Sequence, residues 1–137
     1  YVVGGVVGMG ESPQEGSVPM RHMLIVEDDT DICDSLQQFF AARGFSVKSA
    51  FSGEEAIDRL RQHSADIILL DLLLPGISGI EVLKRAKQLY PNANVIIVSA
   101  LHQDDVRETA TRYGASAYIT MPFDFSHATS SLALRGL

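Results

Sequence analysis

Cysteine is nearly missing from this chain: Cys33 stands alone among 137 residues. It can form no internal disulfide, which points to a reducing, cytoplasmic compartment, and it reads as a small buried apolar side chain. Basic charge is scarce as well. Eleven Lys and Arg stand against seventeen Asp and Glu, a formal net charge of -6. With no basic stripe to neutralise phosphates, direct nucleic-acid binding by this domain is not expected. No apolar run approaches the roughly 20 residues of a membrane span, so no membrane partner is expected either. His63, His102 and His127 lie far apart without ligand-like spacing, which argues against structural zinc. No internal repeat or low-complexity tract is visible.

What remains is an ordinary globular composition, 46% hydrophobic and 20% charged, in a chain of one-domain size. Residues 1–21 differ from the rest. They are rich in Gly and Val and show neither helical nor alternating period, so they are expected to be a tail or tag remnant. A minority reading docks Val2 to Val7 as an extra edge strand. Residues 22–137 form the expected domain. There, apolar runs alternate with amphipathic stretches. Strands are expected at 23–26, 47–50, 67–70, 95–98 and 117–120; the first, third and fourth are continuous apolar runs, as for central parallel strands covered on both faces. Ile32, Leu36, Phe39 and Phe40 have helical spacing, and Gly44 follows as a stop. Ser52-Gly-Glu-Glu55 and Ser78-Gly-Ile-Glu81 read as capping boxes opening helices at 53–63 and 79–90. Val106, Ala110 and Tyr113 mark a fourth helix, and Phe125, Ala128 and Leu132 a short fifth. Five β-α units with right-handed crossovers make an open, doubly wound α/β sheet.

In such a sheet, ligands sit beyond the carboxyl ends of the strands. Strand one ends in Glu27-Asp28-Asp29, strand three in Asp71, strand four in Ser99-Ala100, and strand five in Met121-Pro122. Asp71 interrupts the aliphatic run Ile67 to Leu74, where an ionised carboxylate costs several kcal/mol unless something compensates it. If strands one and three are neighbours, their carboxylates converge and repel unless a cation intervenes. Oxygen-only donors select a hard ion, and Mg²⁺ suits one or two carboxylates with waters and a phosphate. Asp29 or Asp31 reads instead as a helix cap. A carboxylate beside Mg²⁺ can also act as a nucleophile and form an aspartyl phosphate, and Ser99 could donate a hydrogen bond to a phosphoryl oxygen.

These residues resemble the receiver domain of two-component response regulators, over about residues 22 to 135. "LIVEDD" resembles the family's acidic pair, "LLDLLLPGISG" its phosphoacceptor loop, and "IIVSA" and "AYITMPF" its switch segments. The resemblance implies a flavodoxin-like sheet of order 2-1-3-4-5. It implies Mg²⁺ held by Glu27, Asp28, Asp71 and the Leu73 backbone carbonyl. Asp71 becomes the acceptor of a phosphoryl group from a histidine kinase or phosphotransfer protein, Ser99 the switch hydroxyl and Tyr118 the switch aromatic. It also implies a cis Met121-Pro122 bond. Partners, either a downstream protein or a second copy, would dock on the fourth helix, fifth strand and fifth helix, with Phe123, Phe125 and Leu132 as contacts or core. Such a domain is a signalling module whose only catalysis is self-phosphorylation and slow autodephosphorylation.

One position departs from the pattern. The family places a lysine before that proline, and this chain has Met121. Methionine brings no charge to pair with a phosphoryl group, and His102 is the one candidate substitute. In the family, the residues two beyond the acceptor and two beyond the hydroxyl influence attack by water. Here both are leucine, Leu73 and Leu101, which cannot orient a water, and the resemblance therefore implies a long-lived phosphoryl group. Two further readings stand beside the leading one. The first is a receiver-like interaction module that does not switch by phosphorylation, because of Met121. The other is a Mg²⁺-dependent phosphohydrolase with an Asp nucleophile, which would want a second carboxylate where Leu73 stands.

Overall fold

The computed structural model describes residues 21–101 and 103–121. Strand β1 (His22–Val26), helix α1 (Thr30–Ala41), β2 (Ser46–Ala50), α2 (Gly53–Gln62), β3 (Ile67–Leu70), α3 (Gly79–Leu89), β4 (Asn94–Ser99), α4 (Asp104–Arg112) and β5 (Ala117–Thr120) follow in order. All pairings are parallel, in the order β2-β1-β3-β4-β5. This is the doubly wound sheet expected, in the order the resemblance implies. The strands begin and end within one residue of their expected limits. The fifth helix around Phe125 and Leu132, Phe123, the Met121-Pro122 bond, His102 and the segment Val2 to Val7 lie outside the described residues.

Alternation along the strands builds two cores. Leu24, Val26, Ile68, Leu70, Val95 and Ile97 turn to one face, where Ile57 and Leu60 of α2, Val82 and Leu83 of α3 and Ala110 of α4 cover them. Met23, Ile25, Ile67, Leu69, Ile96 and Val98 turn to the other, against Cys33, Leu36 and Phe40 of α1. Because both faces are covered, β3 can be aliphatic at every position, and all four of its residues are buried. Each such side chain contributes about 1.5–3 kcal/mol by leaving water.

The helix ends follow from local chemistry. Asp29 caps α1, accepting from the Asp31 and Ile32 N–H groups at 3.0 and 3.1 Å, and Gly44 leaves the helix at φ 94°, where a Cβ would be strained. Ser52 and Ser78 cap α2 and α3 through the N–H groups of Glu55 and Glu81. Neither box closes as expected, however. Glu55 accepts from Phe51 N–H rather than from the cap residue, and Glu81 turns to Arg85. Short connections then deliver the carboxyl ends of β1, β3 and β4 to one edge.

Candidate functional site

Register decides what meets at that edge. Val26 pairs with Leu70, and Leu70 with Ile97, so the residues following Val26 and Leu70 emerge side by side. The sheet hydrogen bonds run one step further: Glu27 N–H donates to Ala50 O and Asp71 N–H to Val26 O, both at 3.0 Å. The backbone beneath the two carboxylates is therefore held by the sheet rather than by a free loop.

Glu27, Asp28 and Asp71 each bring one carboxylate oxygen to within 4.8 Å of the others. Among the described residues no other group of three acidic, His or Cys side chains is close enough to share an ion. Glu27 is 8% exposed, Asp71 is half-buried and Asp28 exposed. Burial, opposed by the Asp29 N–H bond and reinforced by the Asp71 charge, pushes the Glu27 carboxyl up to about 7. Burial also raises Asp71, against the opposing Leu73 N–H bond and with the Asp28 charge adding to it. Two carboxyls so close titrate as a pair. Among backbone donors, Asp29 N–H reaches Glu27 at 3.1 Å and Leu73 N–H reaches Asp71 at 2.9 Å. Neither brings positive charge. The donor set is all oxygen, and a hard divalent cation would remove the repulsion and restore the charged forms.

The neighbouring strands supply neutral groups. Ser99, 1% exposed at the end of β4, accepts the Leu101 N–H at 3.2 Å, which leaves its own proton free to donate elsewhere. Tyr118 is half-buried on β5 and donates to Leu101 O at 2.9 Å. Met121 donates its N–H to Ser99 O at 2.8 Å, and its side chain packs against the α1-covered core. Leu73 is 52% exposed.

Two contributors carry no signal in the sequence pattern. Arg107 of α4 lies 4.6 Å over the Tyr118 ring and bonds Thr120 Oγ1 at 3.1 Å. Glu54 of α2 accepts the Ile77 N–H at 3.1 Å, bracing the loop after Asp71 against the helix. That loop passes through Gly76 at φ 79°, where an added Cβ would also collide with the Glu54 carboxylate. Neither contact is local, so only the fold brings its partners together.

Comparison with known proteins agrees with this fold. Residues 23–133 match the response regulator receiver domain family. The transcriptional regulatory protein DltR of Streptococcus agalactiae is 33% identical over 82% of this chain and 50% of its own length. Sporulation initiation phosphotransferase F of Bacillus subtilis is 35% identical over 74% of this chain and 82% of its own. The chain spans about half the length of several curated relatives it matches, DltR among them. Among solved structures, a CheY-like receiver domain from Methanospirillum hungatei superposes with a TM-score of 0.79 at 28% identity, over 82% of this chain and 90% of that one. A chain of the CheX-CheY-BeF3-Mg²⁺ complex from Borrelia burgdorferi gives 0.76 at 31% identity, over 82% and 86%. The chain belongs to the response regulator receiver domain family.

Proposed function

We propose that Asp71 accepts a phosphoryl group from the phosphohistidine of a histidine kinase or phosphotransfer protein, with Mg²⁺ held by Glu27, Asp28, Asp71 and the Leu73 carbonyl. The observation that carries this reading is the convergence of three carboxylates at the ends of β1 and β3, two of them pushed toward protonation. Bound there, the ion would neutralise the crevice and offset charge on the transferring group.

The chain's own residues do the rest. An Asp71 carboxylate oxygen forms the new bond to phosphorus as the phosphorus–nitrogen bond of the donor breaks, and the electron pair leaves with the imidazole. Leu73 N–H, already on Oδ1, orients the carboxylate. The free Ser99 proton would turn to a phosphoryl oxygen, giving up nothing, since its present bond uses the oxygen as acceptor. That contact would bias Tyr118 and the surface of α4 and β5 between two arrangements. Leu73 and Leu101 present no polar side chain to an attacking water, so hydrolysis of the acyl phosphate is slow. The receiver unit is taken as residues 22–137, working in the cytoplasm as a signalling module rather than as a turnover enzyme.

Met121 favours a second reading. At the position where the family's lysine is expected, its side chain packs into the α1-covered core and contributes packing rather than charge. In that reading the domain holds one conformation and serves as an interaction module.

Incubating the full chain with acetyl phosphate and Mg²⁺ and weighing it by mass spectrometry tests the first reading. It requires a gain of one phosphoryl group that is lost in Asp71→Asn. No gain, with the cognate donor protein as well, leaves the second reading.

A further inference from the structure

The amino ends of the strands carry a different chemistry. Between β1, β2 and the end of α2 lies a cavity of about 430 Å³. Lys48, Arg59, His22 and His63 line it, with Gln62, Ser46 and Ser64, over a floor that includes Leu24 and Leu60, and no acidic side chain is among its lining residues. In a chain of net charge -6 a wall with a lysine, an arginine and two imidazoles and no acidic side chain runs against composition. Capping the carboxyl end of α2 explains part of it, since Arg59 and His63 stand where the helix dipole favours positive charge. It does not explain Lys48 or His22, which come from two different strands.

Two side chains are available to a ligand. Lys48 projects from the edge strand β2 into solvent, and among the described residues no salt bridge holds it. A lone lysine on an edge strand serves well to deter strand pairing, but such a role does not require it to face an arginine across a cavity. Arg59 is only partly engaged. Its Nη2 bonds Glu55 at 3.1 Å, while Nε is buried without any partner. A buried guanidinium nitrogen with no acceptor is costly, and an arriving anion could recruit the group at little loss. Two carboxylates lie close by without lining the cavity: Glu55, held on Arg59 Nη2 in an exposed pair worth little, and Asp66, which accepts the His22 backbone N–H at 2.9 Å.

We propose that this amino-end cavity binds a small organic phosphate of roughly mononucleotide size. Its volume falls within the range of about 300–1,000 Å³ typical of small-ligand sites. Lys48 supplies a mobile point charge and Arg59 a planar fork, the pairing suited to phosphate oxygens. The aliphatic stems of Lys48 and Arg59, above the buried floor of Leu24 and Leu60, would flank an apolar or aromatic body, and Gln62, Ser46 and Ser64 offer bonds to hydroxyl groups. The site is separate from the acidic crevice, which lies at the opposite ends of the same strands.

Calorimetric titration of the full chain with adenosine 5′-monophosphate in EDTA tests this without involving the metal site. Saturable binding at one site is expected, with inorganic phosphate weaker and adenosine not binding. Lys48→Glu lowers affinity about tenfold or more while leaving the thermal midpoint in place, because Lys48 is exposed and holds no ion pair. Arg59→Gln lowers it comparably, and backbone amide NMR shifts at Ala65 and Ser46 follow the titration. Absence of saturable binding overturns the proposal, as does affinity unchanged in both variants or phosphate binding as tightly as the mononucleotide.

Discussion

The two halves of the crevice are built on opposite principles. On the β1 and β3 side, three carboxylates crowd together and two are pushed toward protonation by burial. On the β4 and β5 side, Ser99, Tyr118 and Met121 bring uncharged hydroxyls and a thioether, and the nearby Arg107 is engaged with the Tyr118 ring and Thr120. The first half holds electrostatic repulsion that a cation relieves. In the second half each group already has a partner, Ser99 in Leu101 N–H, Tyr118 in Leu101 O and Met121 in the core, and only the Ser99 proton is left to donate. The side that would bind the ion is poised, and the side that would respond to phosphate is quiet.

Breaking the charged half should have the largest effect. Asp71→Asn abolishes phosphorylation by acetyl phosphate, read by mass spectrometry, because no other nucleophile stands at that position. Residual labelling at a similar rate would separate the acidic cluster from the chemistry.

Charging the quiet half comes next. If Asp71 accepts a phosphoryl group as proposed, Met121→Lys would offer it a cation, and a charge-assisted bond there would contribute about 1.5–3 kcal/mol. The phosphorylated fraction at fixed acetyl phosphate should rise roughly tenfold or more while that fraction is small, and chemical-shift changes over α4 and β5 should grow with it. An unchanged fraction and unchanged shifts would mean that the missing charge is not what keeps this half silent.

A smaller effect concerns stability without metal. Removing one of the crowded charges by Asp71→Asn should raise the thermal midpoint in EDTA by a few degrees, about 1 kcal/mol, and a lower midpoint would show that the carboxylates are compensated in the free protein. The smallest effect is expected at Arg107. Arg107→Ala removes an exposed cation–π contact and exposed hydrogen bonds, worth about 1 kcal/mol or less. It should broaden or shift the Tyr118 ring resonances with little change in the melt, and unaltered resonances would mean that the Leu101 carbonyl alone holds the ring.

How much could be read from the chain follows the range of each interaction. The apolar run Ile67 to Leu70, the serine caps at 52 and 78 and the stop at Gly44 are local patterns, and the structure has all of them where the sequence places them. The sheet order was legible only through family resemblance, since apolar spacing does not say which strand lies beside which. The carboxylates were legible because an Asp within an aliphatic run needs a compensating partner. Glu54 meeting Ile77 N–H, Arg107 over Tyr118, and the convergence of residues 22, 48, 59 and 63 were not, because each depends on segments joined only by the fold. Even the capping boxes were half-legible. The serines bond as expected, but Glu55 and Glu81 answer to Phe51 and Arg85, choices set by local geometry beyond the motif.

The most direct measurement is a calorimetric Mg²⁺ titration of the wild-type chain beside Asp28→Asn. A saturable single site in the wild type, weakened about tenfold or more when one of three ligand charges is removed, is the predicted result. No uptake of Mg²⁺ at millimolar concentration, or equal uptake by both proteins, would contradict a metal centre at the ends of β1 and β3.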